Sequence, residues 1–322
     1  MQGGFAEAFL PAGFGRNARL ERIAGLIDWL PVEALVKQVR PGTTGRPPYR
    51  ALAMVKALLL QQWYGLSDPG LEEALSDRVS FRRFCGLSLE EPTPDETTLC
   101  RFRLALVAAG LGEALFAEVS RQLDAAGYMV KTGKLIDASL VEASVRRPPD
   151  GSTPKGEGKR EESCSPHDGD ANWTRAGKHR RPFFGYKLHI GVDQGSGLIR
   201  SRAVTPAKVY ESQVADALIV GDEAAVYADK AYEKRVRREA LKARGVKDRI
   251  QHRRTRSQPK LPHWQTVRNK LIGKVRTAVE RTFSELKCGP YGFTRMRYRG
   301  LKRCRLHVDL AVIAYNLRRA AG

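Results

Sequence analysis

Three carboxylates in this chain stand where structural acids are uncommon. Glu280 lies in VRNKLIGKVRTAVERTFSELKC, Val267–Cys288, which reads as one long helix. Leu271, Val275, Val279, Phe283 and Leu286 recur there at steps of three and four, an apolar stripe that faces a core. Arg276, Glu280 and Lys287 follow at steps of four and seven, so they share the adjacent face and set one acid between two cations. That is either a solvated face laced with ion pairs or part of a site. Asp137 sits inside KLIDASLVEA, whose alternation of two predicts a strand. Aspartate is depleted in strands, and a buried one needs a partner or a metal. Asp229 ends AAVYAD, a short buried strand, where a side chain is directed into the crevice at the sheet's edge. Three carboxylates from two strands and a helix suit the hard cations Mg²⁺ or Mn²⁺. Two such ions about 4 Å apart can hold the attacking and leaving oxygens of an in-line phosphoryl transfer.

Composition supports an anionic partner. The 322 residues include 56 Lys plus Arg against 35 Asp plus Glu, a formal net charge of +21. Residues 1–130 hold 14 basic and 15 acidic side chains, so the whole excess lies beyond them. A basic balance of this size points to nucleic acid or an anionic surface. No apolar run approaches the roughly 20 residues of a spanning helix, and no signal peptide is evident, so a cytoplasmic protein without a membrane partner is expected. The five cysteines are scattered, with no pair at metal-ligand spacing, and read as thiols of a reducing compartment. His189 and His307 fall in apolar patterns and read as structural histidines.

The elements that must position the acids follow from periodicity. Residues 1–130 give only helical patterns: Arg19 to Leu30, Ala51 to Gln62, Leu71 to Leu75, Phe81 to Phe84, Glu96 to Val107 capped by Asp95, and Gly112 to Ala126. This all-helical N-terminal domain is either a packing and dimerisation module or a helix-turn-helix, with Thr97, Thr98, Arg101 and Arg103 on its reading helix. From 131 to 322 the pattern is a strand, a polar basic loop at 146–182, a hairpin (FFGYKLHIGVD and LIRSRAVTPA), then helices Glu211 to Val220 and Tyr232 to Arg244 around the AAVYAD strand, with VKDRIQHRR a further strand. The long helix and a last apolar one, Leu306 to Leu317, complete it. A hairpin followed by helical crossovers implies a mixed sheet flanked by helices, an α/β fold. Lys178, Arg180 and Arg181 crowd the end of the polar loop near Trp173, which suggests an arm that orders on phosphates or a solvated loop.

LIDASLVEA, VYADKAY and RTAVERTFSELK resemble the three acid-bearing segments of bacterial insertion-sequence transposases of the DDE superfamily, in the insertion-sequence-five group. GYKLHIGVD and the stretch around WYGLSD are also similar to that group, and the resemblance covers most of the chain. It implies a ribonuclease-H-like catalytic domain at 131–322, with Asp137, Asp229 and Glu280 as catalytic metal ligands and Arg276 and Lys287 as contacts to the transposon end. It further implies two Mg²⁺ or Mn²⁺ ions, cleavage at terminal inverted repeats, strand transfer into target DNA, and a homodimer on double-stranded DNA. Lys187, Lys230, Arg253, Arg254, Arg256, Lys270, Arg295, Arg297 and Arg299 are expected to meet phosphates without reading sequence. Trp264 is expected either in the core or stacked on a flipped base. One departure stands out: the related signature often begins with Tyr three positions before its Arg, and this chain has Gly273 there. Two other readings are a metal-dependent nuclease that does not join strands and a domesticated DNA-binding protein without catalysis.

Overall fold

A computed structural model describes residues 11, 13–39, 48–145, 167–176, 181–256 and 258–322. The chain forms two compact units, Met1–Ala126 with Val308–Gly322, and Gly127–His307. The last 15 residues, which sequence places with the second domain, thus group with the N-terminal helices.

The first unit is helical: α1 (Ala18–Leu26), α2 (Trp29–Val36), α3 (Ala51–Tyr64), α4 (Asp68–Asp77), α5 (Val79–Cys85), α6 (Glu96–Ala108) and α7 (Leu111–Ala125). The single helix expected from Arg19 to Leu30 is broken, because the Asp28 side chain accepts from the Leu30 amide and starts α2 anew. Asp95 caps α6 as expected, accepting from the Thr98 amide at 2.6 Å. Arg103 does not face outward as a reading residue would. It is buried against Asp68, with Nη1 donating at 2.9 Å, and Gln61 donates to the same carboxylate at 2.6 Å.

The second unit holds a six-stranded mixed sheet among the described residues, in the order β2-β3-β1-β5-β6 with β4 paired to β3. Its strands are β1 (Lys134–Glu142), β2 (Asn172–Ala176), β3 (Arg181–Asp193), β4 (Ile199–Pro206), β5 (Ala225–Ala228) and β6 (Lys247–Ile250). α8 (Glu211–Leu218), α9 (Arg235–Ala243) and α10 (His263–Cys288) accompany it, and α11 (Leu301–Ala320) ends the chain. β3 and β4 form the expected hairpin, and β1 runs antiparallel to β3 but parallel to β5. β2 lies inside the stretch expected to be a loop. Its Asn172–Ala176 pairs with Arg181–Gly185 of β3, and just before it Asp170 accepts from the Leu301 amide at 2.7 Å, capping α11 from outside the helix.

Beneath the sheet, Ile136, Ala215, Leu218, Val226, Ala228, Tyr232, Leu241, Val246 and Ile250 form one core. His189 is fully buried beside it on β3, with Nε2 3.0 Å from the Thr205 hydroxyl, and takes the structural role expected of it. Burial, and secondarily the Lys187 charge, lowers its imidazole to about 4. In the unfolded chain it returns to about 6.5, so between those values only the unfolded state takes up the proton. This stabilising term is complete above pH 6.5 and is lost as pH falls toward 4, on the order of 2 kcal/mol by pH 5. His189→Gln should therefore lose less stability than the parent between pH 7 and pH 5 in urea unfolding. Equal losses would place the acid sensitivity elsewhere.

Candidate active site

The site begins where two strands stop pairing. β1 and β5 are in parallel register at Lys134–Val226 and Leu135–Tyr227 only. Carrying that register two residues further sets Asp137 against Asp229, beyond the last ladder pair, where the strands have parted. Asp229 caps the short 3-10 turn Lys230–Tyr232 with its own side chain, so its position is fixed by the turn it starts.

Asp137 is held on two sides. One oxygen accepts from the Ala138 amide at 2.9 Å, and the other accepts from Arg276 of α10 at 3.0 Å. The side chains of this pair are 13% and 19% exposed, so both charges are largely out of water. Burial raises the Asp137 carboxyl above its usual range in spite of Arg276, and the charges of Glu211 and Asp229 push the same way. Glu211 opens α8 and is 3.5 Å from the Lys187 ammonium. Lys187 also donates to the Val209 carbonyl at 3.0 Å, so its charge is turned inward.

α10 is wider than its sequence stripe suggests. It starts at His263, and its buried residues are Ile272, Val279, Thr282, Phe283 and Leu286. The C-terminal half of the stripe holds, but Leu271 is 59% exposed. The first turns dock instead through polar groups. Asn269 accepts from the His252 amide at 2.9 Å and donates to its carbonyl at 3.0 Å, while Arg268 donates to the carbonyls of Ile250 and Asp248 at 2.8 and 2.6 Å. Further along, Lys287 donates to the Leu140 carbonyl at 3.0 Å, and burial lowers its ammonium. Arg276 and Lys287 therefore fasten α10 to β1 on either side of Glu280. Glu280 itself is exposed.

A cavity of about 890 Å³ opens at Asp229 and Arg276 and is lined by Lys230, Arg253, Arg254 and Lys270. Gln251 lines it too, and a Cβ placed on Gly273 would lie 3.6 Å from that amide, an ordinary contact. Trp264 is not a core residue: it is 59% exposed and meets His252 edge-on at 5.3 Å. Arg256 and Arg299 are exposed, Arg181 is exposed at the start of β3, Arg297 is half-buried, and Arg295 pairs with Glu142 at 3.0 Å. Lys178 and Arg180 lie outside the described residues.

In kind, the acids fit a divalent cation. Two adjoining carboxylates are offered by parted strands, one of them buried enough to resist ionisation. Among the described residues, no three His, Cys, Asp or Glu side chains come close enough to share one ion. Sequence reasoning missed Glu211, which looks like any acid in a first helical turn, and Arg237, which looks like a surface cation. Arg237 is buried: it donates to the Ser212 carbonyl at 2.7 Å, to Asp216 at 2.6 Å and to the Tyr232 carbonyl, tying α8 to the turn after Asp229.

Residues 130–317 match the family described as Transposase DDE domain, and residues 10–104 match Transposase domain (DUF772). The chain belongs to the DDE transposase family. Members of that family act on DNA and generally use divalent metal ions. No solved structure matches the chain. Among the described residues no helix is long and apolar enough to cross a membrane.

In this transposase the Arg276–Asp137 pair makes a stability prediction. Removing the guanidinium alone strands a buried carboxylate, so Arg276→Ala should cost about 2 kcal/mol in urea unfolding, below the range for fully buried pairs because some solvent reaches this one. Adding Asp137→Asn should recover part of that loss. A double variant as unstable as Arg276→Ala alone would mean that packing, not charge, carries the contact.

Proposed function

We propose that this transposase cleaves DNA at the terminal inverted repeats of an insertion sequence and joins the freed 3′ hydroxyl to target DNA, with Asp137, Asp229 and Glu280 as its catalytic acids. The observation that supports the reading is Asp229 lining a cavity walled by cations, with Asp137 held at the parted strands by Arg276, which lines the same cavity. The motif spacing favours the insertion-sequence-five group.

Asp137 and Asp229 are the oxygen donors that would hold Mg²⁺ or Mn²⁺, two ions in the full site, with Glu280 the third acid supplied by α10. The bound cations would lower the pKa of the attacking group and neutralise charge on the transferring phosphoryl. The chain's own part is positioning. Arg276 orients Asp137 and opposes the rise that burial gives its carboxyl. Lys230, Arg253, Arg254 and Lys270 offer the DNA backbone a row of charge, and phosphates seated there bring the scissile bond to the aspartates. Trp264, exposed beside them, offers a stacking surface for an unpaired base. Arg181, Arg256, Arg295, Arg297 and Arg299 extend the basic surface; Lys187 and Lys287, both committed to protein partners, act by holding the walls. Two ends must be handled together, which favours a homodimer on DNA, with residues 1–130 the module for end binding or dimerisation.

Two measurements test this. With labelled terminal-repeat DNA and Mg²⁺, the parent should give nicked ends and joined products, and Asp137→Asn, Asp229→Asn and Glu280→Gln should each lose at least about a hundredfold in rate. Cleavage without joining would favour the nuclease, and undiminished cleavage by Glu280→Gln would remove that residue from the site. DNA affinity should also fall steeply with salt. Replacing Arg253, Arg254 or Lys270 with Ala should flatten the log–log slope by about one each, while an unchanged slope would place the DNA elsewhere.

A further inference from the structure

Past α10 the chain from Gly289 to Val308 holds six Lys or Arg and no Asp or Glu. Its apolar side chains turn inward: Tyr291, Phe293, Met296, Cys304 and Leu306 are buried. Arg295 is paired with Glu142 and Arg297 is half-buried. Arg299, Lys302, Arg303 and Arg305 are exposed, and none of the four is in an ion pair among the described residues. Asp168 and Asp170, brought to the start of α11, are engaged by the amides of Gly300 and Leu301 at 3.2 and 2.7 Å. Lys302 and Arg303 stand in the first turn of α11, which holds no acid. Cations there oppose the positive end of the helix, so folding alone does not favour them. No large apolar side chain is exposed among them, as the centre of a protein interface would require.

The place of these cations is set by β1 and α10. Arg276 meets Asp137 and Lys287 meets Leu140, so helix and strand run the same way. The cavity lies at the start of α10, where Lys270 lines it, and the basic segment follows the helix's end. There it is fastened to the last residue of β1: the Glu142 amide donates to the Thr294 carbonyl at 3.0 Å, and the Met296 amide donates to the Glu142 carbonyl at 2.7 Å. From Lys270 to Cys288 the helix rises about 27 Å, the length of about eight base pairs of duplex. We propose that Arg299, Lys302, Arg303 and Arg305 form a second phosphate-gripping surface, and that one DNA duplex lies along α10 from the cavity to this surface. Cations at both ends of the helix then hold the two flanks of a duplex whose scissile bond is at the aspartates, and neither set needs to read bases.

The inference rests on the DNA-cavity reading of the preceding subsection, and the full-length chain tests it by titration with a duplex of about 15 base pairs and arbitrary sequence, long enough to reach both ends of α10. The parent should bind one duplex per chain. The triple variant Lys302→Ala, Arg303→Ala, Arg305→Ala should flatten the log–log dependence of affinity on salt by about three, one for each cation. Adding Arg253→Ala and Arg254→Ala should lower log affinity by the sum of the two separate losses. The triple variant should unfold at the parent's temperature or slightly above it, because the lost charges opposed the helix end. Lys302→Arg, Arg303→Lys, Arg305→Lys keeps the charge and should keep the parent's slope. An unchanged slope in the alanine variant, or a flattened one in the charge-keeping variant, overturns the proposal. So does a parent that binds two duplexes per chain and a triple variant that binds one, since the two surfaces would then hold separate DNA molecules. A parent that binds no duplex overturns the cavity reading as well. A parent that binds as expected yet neither nicks nor joins terminal-repeat DNA overturns the proposed function and leaves this surface standing.

Discussion

The site depends on a ladder that ends early. β1 and β5 share register for two residue pairs and then part, and Asp137 and Asp229 lie just past that parting. Had the ladder continued, Asp137 and Asp229 would be two like charges side by side in a closed sheet, a costly arrangement. The gap lets the guanidinium of Arg276 reach Asp137. It also separates the roles of the two aspartates: Asp229 is fixed by the turn it caps, whereas Asp137 is held chiefly by a side chain from another element.

That element is α10, and its attachment shows why one helix can serve both scaffold and site. Its second half is anchored by Val279, Phe283 and Leu286, which are buried and indifferent to what happens at the surface. Its first half is attached by directional bonds from Arg268 and Asn269 to the strand-end backbone around residue 250. Apolar contact supplies adhesion, and hydrogen bonds supply register. The result sets Arg276 opposite Asp137 and leaves Glu280 exposed on the helix.

Much of this could be read from the chain. The alternation around Asp137, the hairpin pattern of β3 and β4 and the Asp95 cap are local signals with local causes, and each appears in the fold. What could not be read depends on contacts between distant segments. Leu271 fits the helical stripe, yet the helix there meets polar backbone, so Ile272 is buried and Leu271 is not. Arg103 looks like a surface cation until Asp68, 35 positions earlier, is brought against it. β2 lies in a composition that forms no core alone, and it becomes a strand because β3 supplies a partner. Glu211 and Arg237 gave no signal because an acid in a first helical turn and a cation in a basic helix are ordinary in sequence. Only their neighbours make them unusual.

The reciprocal hydrogen bonds between Asn269 and His252 have a consequence for how such a protein can change over time. They hold the loop through its backbone, so the side chains that follow, Arg253 and Arg254, project into the cavity without helping to support it. Those positions can be exchanged with little effect on folding, while the aspartates at the parted strands cannot. Under the proposed function, the molecule therefore separates a chemistry that must be kept from a grip on DNA that is free to drift. A lineage following the changing ends of a mobile element can retune the second without risking the first.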